Sequence, residues 1–146
     1  MSPELEMVLR LLVAMALGSV IGFERFRAGK PAGLKTNILI SAGSALFTII
    51  SVFGFGGDPA RVAAGVVTGI GFLGAGAIIR RGGDVGGLTT AASVWAVAGI
   101  GMAAGAGLYL IATVATGLIV ASLIILRVVE EKIAPRHKET KPGERD

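Results

Sequence analysis

The residues able to do chemistry in this chain of 146 are few, and they fall into two clusters. One is Asp58-Pro59-Ala60-Arg61. An aspartate followed by proline is the order that opens a helix, with a side-chain oxygen capping the first amides and the ring at the first helical position. The same carboxylate could accept a cation, which makes Asp58 the candidate metal ligand, with Arg61 one turn on to compete for it. The second cluster is wider and comprises Glu24 and Arg25, then Lys35-Thr36-Asn37, then Arg80, Arg81, Asp84, Thr89 and Thr90. Charges beside long apolar segments are costly and so count as functional candidates, although a solvated, lipid-anchoring basic rim also accounts for the arginines and lysines. Catalysis has little to work with: no Ser/His/Asp or Glu/His set and no metal-ligand spacing falls in the apolar stretches. His137 is the one histidine and lies in a polar tail, cysteine is absent, and neither an enzyme nor a bound cofactor is expected.

Two glycine patterns imitate nucleotide sites. GIGFLG at 69–74 matches the dinucleotide fingerprint, yet it falls in the middle of an apolar run where no strand–turn–helix unit of a soluble domain fits. GGDVGGLT at 82–89 has the spacing of a phosphate loop but carries Leu88 where the phosphate-gripping lysine belongs.

The elements that must position these residues are read from the charges. Only 16% of residues are charged, against about a quarter in soluble domains, and uncharged runs extend over 11–23, 36–57, 62–79 and 85–126. A helix rises 1.5 Å per residue and the hydrocarbon core is about 30 Å thick, so runs of 18 or more read as membrane spans. The run 85–126 would be about 63 Å long as one helix and must fold back. Gly101, Gly105 and Gly107 place the break within 101–107, giving helices near 88–103 and 108–126. The first run is short, but extended back to Met7 it spans, with Arg10 snorkelling and Glu6 its i,i+4 partner. A signal peptide fits less well, because Glu4 and Glu6 precede the apolar stretch.

The expectation is an all-α polytopic membrane protein, a compact bundle of five transmembrane helices over 1–127 with a mostly disordered cytoplasmic tail over 128–146, in which a short continuation of helix 5 ends before Pro135. Twelve lysines and arginines fall on one side of this arrangement and two, Arg10 and Arg61, on the other. The positive-inside rule then places the N-terminus outside and the C-terminus in the cytoplasm, facing anionic lipid of the inner leaflet, and nothing resembles a nucleic-acid face. The 23 glycines are read as packing devices, since small residues let membrane helices approach closely. The faces expected to pack are Ala14, Gly18 and Gly22 on helix 1, Gly65 and Gly69 with Gly71 and Ala75 beside them on helix 3, and Ala92, Ala96 and Gly99 on helix 4, in the bundle or across a homodimer. Trp95 reads as a packing wedge.

Three ordered stretches following Glu24-Arg25 carry a resemblance: GLKTNILISAGSALF at 33–47, DPARVAAGVVTGIGFLGAGAII at 58–79 and GGLTTAASVWAVAGIGMAAGAG at 86–107. They resemble the bacterial MgtC/SapB membrane family, over roughly residues 5–126. The resemblance implies an inner-membrane protein associated with growth under magnesium limitation and, in pathogens, with survival inside macrophages. Family members often carry a magnesium-transporter label, while the best-studied look like regulators of membrane energetics that inhibit the ATP synthase. It points to Glu24, Arg25, Lys35, Thr36, Ser44, Asp58, Arg61, Thr89, Thr90 and Trp95 as functional positions. Lys35 stands where the family usually shows arginine, Gly65 where glutamine is common and Gly86 where arginine often precedes Gly-Leu-Thr-Thr. With 20 residues after helix 5, the chain is similar to short SapB-type members without the soluble C-terminal domain of MgtC proper.

Two functions are weighed. The preferred one is a dimeric regulatory or interaction protein acting on a larger membrane complex such as the ATP synthase, with Mg²⁺ as signal or ligand. The alternative is a small oligomeric transporter or pore for Mg²⁺ or another cation. Mg²⁺ needs octahedral oxygen and usually a carboxylate or two, and no acidic residue lies within the four uncharged runs.

Overall fold

A computed structural model describes residues 2–55, 58–81 and 84–133. Five helices follow one another: α1 (Pro3–Arg27), α2 (Leu34–Phe53), α3 (Pro59–Gly76), α4 (Leu88–Gly105) and α5 (Tyr109–Ile133). All five are long and apolar enough to cross a membrane, so the all-α five-helix bundle read from the sequence is the fold. One element was not foreseen. Between α3 and α4 the chain makes a small antiparallel hairpin, β1 (Ile79–Arg81) with β2 (Asp84–Gly86), in which Arg80 pairs with Val85.

Local chemistry sets most of the helix ends. Ser2 caps α1 by accepting from Leu5 N at 3.3 Å, with Pro3 at the first helical position, and the helix then runs 25 residues through Glu24 and Arg25. That is about 37 Å of helix, a full span, where the uncharged run alone offered half as much. The break between α4 and α5 falls later than expected. Gly101 and Gly105 both belong to α4, and the turn is only Ala106–Leu108, made possible by Gly107 at φ +84°. At its other end, α5 continues through Ile133, and the rest of the tail, with His137, lies outside the described residues, as do Gly82 and Gly83 of the phosphate-loop-like motif.

Glycine decides which helices touch. The Ala14-Gly18-Gly22 face of α1 packs against α2 as expected: a Cβ on Gly18 would lie 2.7 Å from Ser41 Cβ, and one on Gly22 would lie 2.8 Å from Leu34 Cα. Helix α4 is the hub and meets α1, α2, α3 and α5. It approaches α2 through Gly101 and Gly105, where a Cβ would come within 2.3 Å of Ser41 O and 2.6 Å of Ala45 O. These close contacts enclose a core of Ala14, Ile21, Ala45, Val97, Ile100, Ala104 and Ala112.

The other two glycine faces expected to pack do not do so within this chain. Nothing lies within 4 Å of a Cβ built on Gly65, Gly69, Gly71 or Gly99, and Ala75 and Ala92 are exposed. Helix α3 buries only Ile70 and Gly74 and leans on α4, leaving an apolar groove of about 610 Å³ against α2, lined by Gly43, Phe47, Gly65 and Gly69 among others. Trp95 is likewise no wedge inside the bundle, being 53% exposed on the face of α4 turned away from the core.

Candidate functional site

The alternating helices put the two polar clusters at opposite ends of the bundle. At the end where α1 finishes and α2 and α4 begin, Glu24 and Arg25 are carried in the last turns of α1 and are both buried, 8% and 2% exposed. Arg25 Nε donates to Glu24 Oε2 at 2.6 Å. Neighbouring residues on a helix point about 100° apart, so each also lines a cleft of its own: Arg25 one shared with α4 and α5, Glu24 one shared with α5. Arg25 Nη1 is buried with no acceptor among the described residues.

The turn that follows is locked by Asn37. The α2 N-cap is Gly33, which has no side chain to cap with; instead Asn37, fully buried in the first turns of α2, donates from Nδ2 to Ala32 O at 2.7 Å and Gly33 O at 2.8 Å. Its Cβ packs on Gly22, which is why the α1–α2 corner tolerates no bulk there. Thr90 is buried in the first turn of α4, its carbonyl accepting from Ser93 Oγ at 2.8 Å. Ser44 is buried on α2 and borders the groove against α3. Lys35, Thr36 and Thr89 are exposed: the first two line a cleft between α2 and α3, and Thr89 lines the same cleft as Arg25. Asp84 contributes its backbone to the hairpin, and its side chain lies outside what is described.

At the opposite end, Asp58 caps α3 as its spacing predicts, Oδ1 accepting from Ala60 N at 2.9 Å, with Pro59 at the first helical position. Asp58 and Arg61 are both exposed, and no group of three acidic, histidine or cysteine side chains able to hold a metal occurs among the described residues. Asparagine keeps the cap oxygen, so Asp58→Asn should unfold at the parental temperature, whereas Asp58→Ala should lose about 1 kcal/mol in thermal unfolding followed by circular dichroism. Equal losses in both would mean that the carboxylate charge, and not the cap, is what α3 needs.

The structure adds a polar stripe on α2 and a second partner for Arg10. Ser41, Thr48 and Ser51 join Asn37 and Ser44 at steps of four, three, four and three along α2, a polar stripe at helical spacing that was there to be counted. Ser41 Oγ crosses to Ala14 O of α1 at 2.7 Å, tying the two helices together, while Thr48 bonds back to Ser44 O at 2.8 Å. Arg10 was expected to reach for headgroups. It does pair with Glu6, but Nη1 also donates to Gly105 O at 2.9 Å, and the guanidinium lies 5.0 Å from the Phe53 ring centroid. One arginine of α1 thus holds the ends of α2 and α4 and supplies a cation to the negative end of the α4 dipole. Only the tertiary fold brings Gly105 to it.

The sequence profile of the MgtC family matches residues 11–132, nearly the whole of the described bundle. The chain belongs to the MgtC family. Its relatives within the family include "Putative magnesium transporter YhiD" of Escherichia coli, 50% identical over an alignment of 113 residues that covers 71% of this chain and 53% of that protein. "Protein MgtC" of Salmonella typhimurium is 46% identical over 126 residues, 86% of this chain and 54% of the relative. An uncharacterized Haemophilus influenzae protein is 45% identical over 132 residues, 83% and 56% of the two chains. The chain therefore spans about half the length of the curated relatives it matches. No solved structure matches it. Family membership together with five spanning helices makes this MgtC-family chain a multi-pass membrane protein.

Proposed function

We propose that this MgtC-family protein resides in the bacterial inner membrane, N-terminus outside and C-terminus in the cytoplasm. There it serves adaptation to magnesium limitation as a regulatory or interaction protein, working as a homodimer on a larger membrane complex such as the ATP synthase. Magnesium enters through the family and through the printed name of the E. coli relative.

The observation that carries the regulatory reading is how the buried polar groups are used. The stripe on α2 is pressed against glycines of α1 and α4, with Ser41 and Thr48 bonded to backbone carbonyls, and Glu24, the acidic residue buried at the bundle end, faces Arg25. A dehydrating Mg²⁺ path would want carboxylates and retained waters along such a seam. The alternative, a cation transporter or pore assembled from several copies, is favoured by the relative's printed name. The buried end cluster of Glu24, Arg25, Asn37 and Thr90 is the proposed regulatory site, and any cation role of Asp58 is secondary to its cap.

Purified protein in liposomes loaded with a Mg²⁺-sensitive dye should show no saturable Mg²⁺ influx above empty vesicles, and robust saturable flux would reverse the order of the two readings. Orientation is checked separately. The chain has no native cysteine, so a Ser2→Cys variant should react with an impermeant maleimide in intact cells and a Lys141→Cys variant only after permeabilisation. Labelling of both from one side would overturn the five-span orientation.

A further inference from the structure

A cleft of about 450 Å³ opens between the end of α1, the first turns of α4 and the last turns of α5. Its lining is graded along the bundle axis. At the end of the bundle stand Arg25, Lys30, Arg127 and Glu130, while further in, where α4 has risen from Thr89 to Ala96, the walls are mostly apolar, with Ala92, Ala96 and Leu118 and the small hydroxyls of Ser93 and Ser122 between them. Arg25, Lys30 and Arg127 line this cleft with one carboxylate, Glu130, while Glu24, bound to Arg25 Nε, lines the neighbouring one. Arg25 is 98% buried at the polar end of this cleft, and its Nη1 has no acceptor among the described residues. A buried guanidinium N–H is rarely left unmade, so an oxygen from outside the described residues is called for.

The geometry points to a bound anionic phospholipid in this cleft, its phosphate accepting from Arg25 Nη1 and Lys30 and one acyl chain lying along Ala92, Ala96 and Leu118. The small alanines leave the width that a chain needs, and the polar-to-apolar order matches a lipid entering from the bundle end. Free phosphate satisfies the arginine but leaves the part of the slot lined by Ala92, Ala96 and Leu118 empty. The assignment stands whichever leaflet this end of the bundle faces.

Delipidated protein in neutral detergent, titrated with phosphatidylglycerol and read by native mass spectrometry and thermal shift, should retain one lipid per chain and melt higher. Phosphatidylcholine should bind at least tenfold more weakly, and inorganic phosphate alone should give no shift. Lys30→Glu and Ala96→Phe, at exposed and half-buried positions that leave the core intact, should each weaken phosphatidylglycerol binding at least tenfold, and Lys35→Glu, outside the cleft, should not. The pair Glu24→Gln with Arg25→Gln should also abolish retention; if that protein does not fold, Lys30 and Ala96 decide. Equal binding of the two lipids, parental binding by Lys30→Glu and Ala96→Phe, or equal loss in Lys35→Glu would overturn the site. A shift with inorganic phosphate equal to that with lipid would replace the lipid by a free anion.

Discussion

Replacing Gly101 by alanine should destabilise the bundle by about 1–3 kcal/mol, while replacing Gly99 by alanine, two residues earlier on the same helix, should stabilise it by up to about 1 kcal/mol. The opposite signs follow from one geometric difference. A Cβ at Gly101 would stand 2.3 Å from Ser41 O and 2.9 Å from Ser41 Cα, backbone that cannot swing aside, so α4 must retreat from α2 and the Val97–Ile100–Ala104 face loses its partners. A Cβ at Gly99 meets nothing within 4 Å and only removes the entropic cost of glycine in a helix. Gly105→Ala should behave like Gly101→Ala, since its Cβ would lie 2.6 Å from Ala45 O, and it would also disturb the carbonyl that Arg10 holds. Thermal unfolding in detergent, followed by circular dichroism, reads all three. Equal effects at positions 99 and 101 would mean that α4 does not lie on α2 as described. A loss confined to oligomer size in Gly99→Leu or Gly69→Leu would show instead that the uncovered glycine faces serve a second copy.

The other large effect is expected at Glu24. Removing it by Glu24→Ala leaves Arg25, 2% exposed, as a buried cation with its Nε partner gone, and unpaired buried charges cost about 3–5 kcal/mol. Glu24→Gln keeps an acceptor for Nε and should lose less. The double change Glu24→Leu with Arg25→Met removes both charges and keeps the volume, so it should recover most of the stability lost in Glu24→Ala. Urea or thermal unfolding of the four proteins closes the cycle. If Glu24→Ala is as stable as the parent, water reaches Arg25 and the pair is not buried. A double variant that is stable yet fails to support growth under magnesium limitation would separate the packing role of this pair from its functional one.

Much of this architecture is present in the order of residues. Five spans are legible because the cost of placing charge in hydrocarbon is large compared with any packing preference, so uncharged runs report helices without reference to their neighbours. Caps are equally local: Asp58 and Pro59 start α3 through atoms within two residues of each other. The Ala14-Gly18-Gly22 face of α1 was also readable, and it packs as its spacing implies.

What the tertiary structure alone decided is which glycines touch and which polar groups meet. Glycine ends helices and also lets them approach, and nothing in its own chemistry separates the two uses; Gly101 and Gly105 read as a turn and turn out to be the contact between α4 and α2, while Gly65, Gly69 and Gly99, with the better small-residue spacing, meet no neighbour. Trp95 is exposed for the same reason, since the face on which it sits is chosen by where α2 lies. The candidate site divides along this line. Glu24 and Arg25 could be singled out as charges flanking a span, but their burial, the lack of an acceptor for Arg25 Nη1 among the described residues and the cleft that Arg25 shares with α4 and α5 depend on segments about a hundred residues apart converging at one end of the bundle. Likewise Arg10 shows only Glu6 as a partner in sequence, and its bond to Gly105 O spans 95 residues. Short-range chemistry and hydropathy are properties of the chain taken in order. Close approach is a property of two surfaces, and it exists only once both helices are in place.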